Sequence, residues 1–350
     1  MPAERVLIVL ARPGCGFFSL FFQVVGQLER CRRAGTVPVV YFNRQCTYWC
    51  EAGYRGARNA WEYYFEPVSA RRIADLVDAS PRQLEAATVW EFTPRDTASP
   101  AVVAPVAAGT IQLPPHVVAS DRYPQRLVPY LWRMSTRRRR TLHRVIREGI
   151  RVRPEVTSRV ESFYEANLCG RGVLGVHIRG RESSNGRTVW AKGGSLPLAV
   201  YLAEIDRYLD GHSAASIFCA SDSQPALDAL AARYGSRLLQ CEGVTRLDAD
   251  EEASGQGLHL LDPERAHKGR LGEDVLVESL LLSRCDYLVH DPSNVSRAAT
   301  LFNPDLRHID VYRKYGYAFP DIRGRLAWLR YAMARRLRPW LRGYGRAGSA

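Results

Sequence analysis

The sequence predicts an α/β protein of two domains, the second organised as a doubly wound parallel sheet. Three observations carry this. Apolar runs of strand length alternate with amphipathic stretches of helix length, most clearly in the second half. Polar clusters follow the carboxyl ends of those runs, where open parallel sheets bind ligands. The chain's 350 residues suit two domains of roughly 150 residues each. A hydrophobic content of 46% and an aromatic content of 10% fit a packed globular protein rather than a disordered one.

In the first half, RVLIVLA (5–11) is a continuous apolar run suited to a strand buried on both faces. Pro13-Gly14-Cys15-Gly16 reads as the loop after it, with Gly14 and Gly16 permitting a tight turn and close ligand approach. SLFFQVVGQLERCRRAG (19–35) has helical periodicity and ends at Gly35, a C-cap residue. TVPVVYF (36–42) is the next strand. Residues 94–126, rich in Pro, Ala and Ser, carry the least regular pattern. A basic helix centred on Arg137-Arg138-Arg139-Arg140 follows, read as a solvated face in preference to a ligand site.

A second amphipathic helix, 152–169, leads into the strand 173–178, so the domain boundary is expected near 140–155. A helix over 197–210 comes next, then the strand ASIFCASD (215–222), the helix PALDALAARYG (225–235) and the short strand RLLQC (237–241). An acidic loop at 248–252 precedes a helix from about 273 to 284. DYLVHD (286–291) is a strand, and SNVSRAATLFNP (293–304) is a loop entering a helix. This alternation makes the second domain Rossmann-like. The expected organisation is an N-terminal α/β domain over 1–150, the sheet domain over 151–315 and a basic helical tail over 316–350.

The net charge of +13 predicts attraction to phosphates, nucleic acid or anionic membranes without choosing among them. The tail has eight arginines from Arg323 onward, no acid, and Trp328, Tyr331, Trp340 and Tyr344 interleaved. It reads equally as a helix lying on an anionic bilayer or one packing across the two domains. The eight cysteines are scattered. Cys219 and Cys285 fall in apolar runs as small hydrophobes, and Cys46 and Cys50 lack the second pair that a zinc site needs. A reducing cytoplasm is expected, and no secretory or membrane-spanning segment is read.

Three polar clusters occur in order on strand ends. GVHIRGRE (175–182) brings His177 and Arg179 to the end of an apolar strand, with Glu182 close behind. Alone it reads equally as an anion site or as a basic turn. Ala220-Ser221-Asp222 is the second cluster. The third joins Glu278 to Pro292-Ser293-Asn294-Val295-Ser296-Arg297. An arginine neutralises a diphosphate with two parallel bonds, a helix start cradles other phosphate oxygens, and a carboxylate accepts the N1 and N2 hydrogens of guanine. In this order the clusters describe a nucleoside diphosphate site.

These clusters resemble the motifs of the GT-B fucosyltransferases that include the rhizobial nodulation and eukaryotic core α1,6-fucosyltransferases. His177-Ile-Arg179-Gly180-Arg181-Glu182 matches the family's His-x-Arg-Arg-x-Asp, and Ala220-Ser221-Asp222 its Ala-Thr-Asp strand end. Glu278, Ser283-Arg-Cys-Asp286-Tyr-Leu-Val289 and Ser293-Asn294-Val295-Ser296-Arg297 match the third motif. Gly14-Cys15-Gly16-Phe17 is similar to the family's glycine loop, and IRVRPEV (150–156) to the segment entering the helix before the first motif. The likeness covers residues 5–312 and is weak in the middle of the first half.

The resemblance implies a GT-B-like fold and an inverting, metal-independent transfer of fucose from GDP-fucose to an acceptor hydroxyl, with no cofactor beyond the donor itself. It implies donor-binding roles for Gly14, Gly16, His177, Arg179, Asp222, Glu278, Ser293, Asn294, Val295 and Arg297. His177 and Glu278 would contact guanine, and Arg179 would hold the β-phosphate and stabilise the departing charge. The chain departs from the pattern in four places. Gly180 replaces the second arginine, Glu182 replaces the aspartate, Pro292 replaces the first of two serines, and Arg187 stands where the family has its general base. No other acid occurs before Glu204, so Glu182 is the local choice for the base, with Glu62 or Glu66 of the first domain as alternatives.

The segment 183–194 reads as a loop over the donor or acceptor, with Trp190 able to stack on a sugar, or equally as a plain surface loop. Asp248-Ala-Asp250 mimics a metal-binding DxD pair but sits away from the clusters. The acceptor is expected to be a glycan or a glycosylated small molecule. Competing readings are use of another GDP-sugar, GDP binding without catalysis, and a basic nucleic-acid-binding protein. The last lacks a zinc finger, an RRM signature or a repeated basic-aromatic face.

Overall fold

A computed structural model describes residues 4–88, 92–94, 111–123, 134–180, 198–254, 257–291, 293–311 and 314. The N-terminal half holds a three-stranded parallel sheet in the order β2 (Val37–Tyr41), β1 (Val6–Leu10), β5 (Val117–Ser120). Its third strand comes from the stretch that carries the weakest sequence pattern. Two further short strands there, β3 (Phe92–Pro94) and β4 (Ile111–Leu113), pair in parallel with each other. The segment between Gly35 and β5 also holds the short helix α2 (Pro81–Ala86), started by Pro81 and capped by Ser80.

The second half forms a five-stranded parallel sheet in the order β10 (Arg307–Asp310), β9 (Tyr287–His290), β6 (Val173–Ile178), β7 (Ser216–Ser221), β8 (Leu238–Leu239). Counted from β6, this is the 3-2-1-4-5 order of a doubly wound sheet. The order reverses between β6 and β9, which places the ligand crevice at their carboxyl ends.

Strand alternation explains how the two halves join. Leu174, Val176 and Ile178 of β6 pack with Tyr201 and Ile205 of α5 (Leu198–Gly211) and with Leu227 and Leu230 of α6 (Gln224–Tyr234). Val173, Phe218, Ala220 and Leu288 face the other way, into a core shared with Leu7 and Val9 of β1. That core is built on α1 (Phe17–Ala34), whose Phe17, Phe18, Phe21 and Phe22 are all buried. A helix apolar on so many faces must be enclosed. Gly35 ends it in the left-handed region at φ 59°, as its sequence position predicts.

Two helices cross the join. In α3 (Thr136–Gly149), Leu142, Val145 and Ile146 are buried, and the helix packs on α1 and on α9 (Asn294–Phe302). Its arginine run is a solvated face only in part, with Arg137 and Arg140 exposed and Arg138 and Arg139 half-buried. Arg138 makes a two-pronged ion pair with the buried Glu29 of α1 at 2.6 and 2.8 Å, and Arg140 reaches Asp305 at 2.7 Å. The following α4 (Pro154–Asn167) packs on α8 (Lys268–Leu282). The structure starts α8 at Lys268, earlier than the periodicity indicates. The first turns contain Gly269 and Gly272, which weaken the helical signal. They are there for contact: a Cβ on Gly269 would lie 2.6 Å from the ring of Tyr54, and one on Gly272 2.3 Å from the Tyr64 hydroxyl.

The acidic loop is also partly helical, as α7 (Ala249–Ser254). The Asp248 carboxylate accepts from the Glu251 N–H at 2.8 Å, and Glu251 accepts from the Asp248 N–H at 3.1 Å. Three acids in its first turn suit the positive end of the helix. The segments 183–194 and 316–350 lie outside the described residues.

Candidate functional site

A cleft of about 430 Å³ opens between the two halves, at the carboxyl ends of β1 and β6. One wall is the glycine loop. Gly14 stands at φ +67°, a conformation that favours glycine, while Gly16 caps α1 in extended geometry. The cleft brings together nine of the predicted positions across both halves: Gly14 and Gly16 face His177, Arg179, Asp222, Glu278, Ser293, Asn294 and Val295 on the other wall. Asn294 Nδ2 donates to Ser19 Oγ at 2.8 Å, fastening the start of α9 to the start of α1.

The alternation that buries Val173 and Gly175 against α8 also turns His177 and Arg179 toward this cleft. Gly175 is needed because a Cβ there would meet Cys285 Sγ at 3.0 Å. His177 is almost fully buried, with Nδ1 3.0 Å from the Ala220 carbonyl and Nε2 2.8 Å from Ser293 Oγ. A carbonyl only accepts, so the proton sits on Nδ1 and Ser293 donates its hydroxyl proton to Nε2. Burial pushes the His177 pKa down, Arg179 and Arg246 reinforce this, and Asp222 opposes it. The ring is therefore neutral, with both nitrogens engaged.

This changes two predicted roles. His177 lines the cleft but offers no spare ring N–H to a guanine. Ser293 Oγ accepts from the Val295 N–H at 3.1 Å, so this hydroxyl caps α9 and holds His177. The anion-attracting element at this position is the N-terminus of α9 itself.

Asp222 accepts from the Gly180 N–H at 2.5 Å and so fixes the turn that follows Arg179. A side chain at 180 would press on Glu252 Oε1 at 2.9 Å and Asp222 Oδ1 at 3.2 Å, so the space beside the missing second arginine is filled by carboxylates. Asp291, at the end of β9, is half-buried as a residue, yet its Oδ1 is sealed from solvent. Burial raises its pKa to about 7, opposed by Arg179 and a Tyr201 hydrogen bond and supported by Asp222.

The largest surprise is Arg246, in the loop after β8. Both Glu278 oxygens accept from its guanidinium, with Nη1 to Oε2 at 3.1 Å and Nη2 to Oε1, and Nη1 also donates to the Ser221 carbonyl at 2.5 Å. Burial raises the Glu278 pKa and Arg246 opposes the rise. Arg12, exposed at the end of β1, adds a further cation to the opposite wall. Neither arginine stands in a motif or a periodic segment, and only the fold brings them here.

Several expectations do not hold. Arg297 does not line the cleft: its guanidinium lies 6.0 Å over the Phe22 ring and 3.5 Å from Asn294 Oδ1. Glu62 is bound to Asn59 at 3.0 Å and Arg72 at 3.1 Å on a separate groove, and Glu66 faces Arg151 at 3.8 Å. Neither reaches the cleft, so neither serves as its base. Asp248 and Asp250 lie outside it, in keeping with their expected position away from the clusters. Glu182, Arg187 and Trp190 fall outside the described residues. All eight cysteines are free thiols. Cys50 Sγ accepts from the Gly269 N–H, and among the described residues no group of three His, Cys, Asp or Glu is placed to hold a metal ion. Among the same residues no helix is long and apolar enough to cross a membrane.

No protein-family model matches the chain, and no curated protein sequence does. Solved structures do. NodZ α-1,6-fucosyltransferase soaked with GDP-fucose is 17% identical, over 86% of this chain and 93% of that one, with a TM-score of 0.50. Fucosyltransferase NodZ from Bradyrhizobium is likewise 17% identical, over 86% and 94%, with a TM-score of 0.50. POFUT1 in complex with GDP is 13% identical, over 88% and 98%, also at 0.50. The chain thus has the GT-B architecture of these fucosyltransferase structures, resembling them in fold across most of its length.

Proposed function

We propose that this chain is an inverting glycosyltransferase that moves fucose from GDP-fucose to a hydroxyl of a glycan or a glycosylated small molecule, without a resident metal. The observation that carries this reading is the meeting of Arg179 with the N-terminus of α9 in a cleft faced by the glycine loop. A guanidinium and a helix N-terminus together neutralise a diphosphate leaving group. The fold neighbours include structures described with GDP-fucose and with GDP, which supports the donor class.

In this reading the acceptor hydroxyl attacks the anomeric carbon from the face opposite the diphosphate. The bond from that carbon to the β-phosphate oxygen breaks, and GDP leaves with the electron pair. The hydroxyl proton passes to a carboxylate, for which we propose Glu182. Arg179 acts on charge that grows as the bond breaks, so its contribution is larger in the transition state than in the ground state. His177 stays neutral and, with Ser293, holds the first turn of α9 in place. Peripheral contact with an anionic bilayer through residues 316–350, in the cytoplasm, belongs to the same proposal. Co-sedimentation with anionic vesicles tests it, the tail-truncated chain remaining in the supernatant.

The central test pairs GDP affinity with fucose transfer in wild type and two variants. Arg179→Ala is expected to weaken GDP binding at least about tenfold and to abolish transfer. Glu182→Gln is expected to keep GDP affinity and lower transfer by roughly 100-fold or more. Unchanged GDP affinity in Arg179→Ala would place the donor elsewhere. Stronger thermal stabilisation by GDP-mannose than by GDP-fucose would reassign the sugar.

A further inference from the structure

We propose that Arg246 and Glu278 read the nucleobase as a unit, selecting a 6-oxopurine by its O6 and N1–H while leaving the 2-amino group unread. This rests on the nucleoside diphosphate reading of the cleft and sharpens it.

The geometry begins with burial. Arg246 is 8% exposed and Glu278 5%, and both line the cleft. Their contact is fork to fork, one guanidinium nitrogen to each carboxylate oxygen. The guanidinium is held further by the Ser221 carbonyl, and the Arg246 backbone carbonyl accepts from Arg265 at 3.1 Å. Arg246 is therefore part of the wall and not a side chain free to swing.

That contact uses the edge of Glu278 that a guanine would need. The N1–H and N2–H of guanine flank C2 as the two nitrogens of a guanidine, so a guanine and an arginine ask a carboxylate for the same pair of parallel bonds. While Arg246 holds both oxygens along that edge, each Glu278 oxygen keeps one outer acceptor site, and because the two diverge a single base can use only one of them. Arg246 has five N–H groups, of which two on Nη1 and one on Nη2 are bound, leaving Nε–H and a second Nη2–H.

The wall then presents a donor beside an acceptor. A 6-oxopurine presents the complement, O6 beside N1–H. Adenine presents N6–H beside an unprotonated N1, the reverse order, and a nucleotide fixed at its diphosphate satisfies only one order. The 2-amino group has no partner in this scheme. Stability alone is a poor explanation for the pair, because a buried ion pair is no more stabilising than apolar packing.

Calorimetric binding of GDP, IDP and ADP to the full chain tests this without any variant. IDP differs from guanosine diphosphate only in lacking the 2-amino group. The expected result is IDP within about threefold of GDP, and ADP weaker by roughly 10- to 100-fold. IDP binding tenfold or more weaker than GDP overturns the proposal, since Glu278 then gives its whole edge to guanine. ADP binding as well as GDP also overturns it. Failure of all three to bind removes the nucleotide reading itself, a different pattern from discrimination by a competent site. The double variant Arg246→Met/Glu278→Leu removes both charges together, so no lone buried ion remains. It is expected to bring ADP within about threefold of GDP, and retention of the wild-type preference would assign base selection to other residues.

Discussion

His290, at the carboxyl end of β9, lies 2.9 Å from His308 and 2.6 Å from the Asp291 carbonyl. Burial pushes its pKa from the usual 6.5 down to about 3, and the neighbouring His308, His177 and Arg139 push the same way. The unfolded chain takes up a proton at this residue near pH 6.5 while the folded chain does not. The folded state is therefore fully favoured above that pH and loses stability as the pH falls below it. His177, lowered by burial as well, adds to the same acid limb. The slope for each such histidine is about 1.4 kcal/mol per pH unit. Urea unfolding of His290→Gln against wild type, between about pH 4.5 and 6.5, should show the variant's acid limb flatter by that amount. The opposing contribution of Asp291, whose raised pKa favours the fold at lower pH, is common to both proteins and drops out of the difference. Equal slopes would mean that His290 takes up its proton in the folded state.

At the scale of elements, α8 packs closely through its glycines. Gly272→Ala puts a methyl group within 2.3 Å of the Tyr64 hydroxyl, 2.6 Å of its Cζ and 3.1 Å of Phe17. These are rigid buried rings, so the backbone must shift, at about 1–3 kcal/mol. The Tyr64 hydroxyl is itself buried without a hydrogen-bond partner among the described residues, so Tyr64→Phe should be neutral or stabilising and should reduce the cost of Gly272→Ala. Denaturant midpoints of the two single variants and the double variant check both statements. The same glycines show why α8 is only partly legible from sequence: they break a helical pattern precisely because the helix packs so tightly. β6 is the opposite case. Its alternation, Val173, Gly175 and His177 on one face and Leu174, Val176 and Ile178 on the other, states the strand, its two-sided burial and the direction of His177 at once. The clusters on strand ends are legible because strand and loop types repeat in order. Arg246 is not, because it follows a two-residue strand and meets a partner 32 positions away.

For the whole molecule, the question is whether two sheets make two folding units. The largest core runs without a break from Leu7 and Val9 through α1 to Phe218, Leu281 and Leu288, so the inner faces of both sheets share it. Glu273 adds a charged tie across the same join. Fully buried on α8, it accepts from Tyr54 at 2.8 Å, from Arg55 at 2.7 and 3.0 Å, and from Arg159 of α4 at 3.2 Å. A carboxylate held this way has its pKa lowered against the cost of burial, and removing it takes the buried partner from Arg55 while Arg159 keeps Asp274 at 2.6 Å. Calorimetry should therefore show one unfolding transition for the described core, and Glu273→Gln should move it down as a unit, by about 3 kcal/mol. A ligand seated in the cleft touches both walls, so GDP at 100 times its dissociation constant should raise the same single transition by about 2.7 kcal/mol. Two resolved transitions, with only one of them responding to GDP, would show that one half binds the nucleotide alone and that the other contributes nothing to holding it.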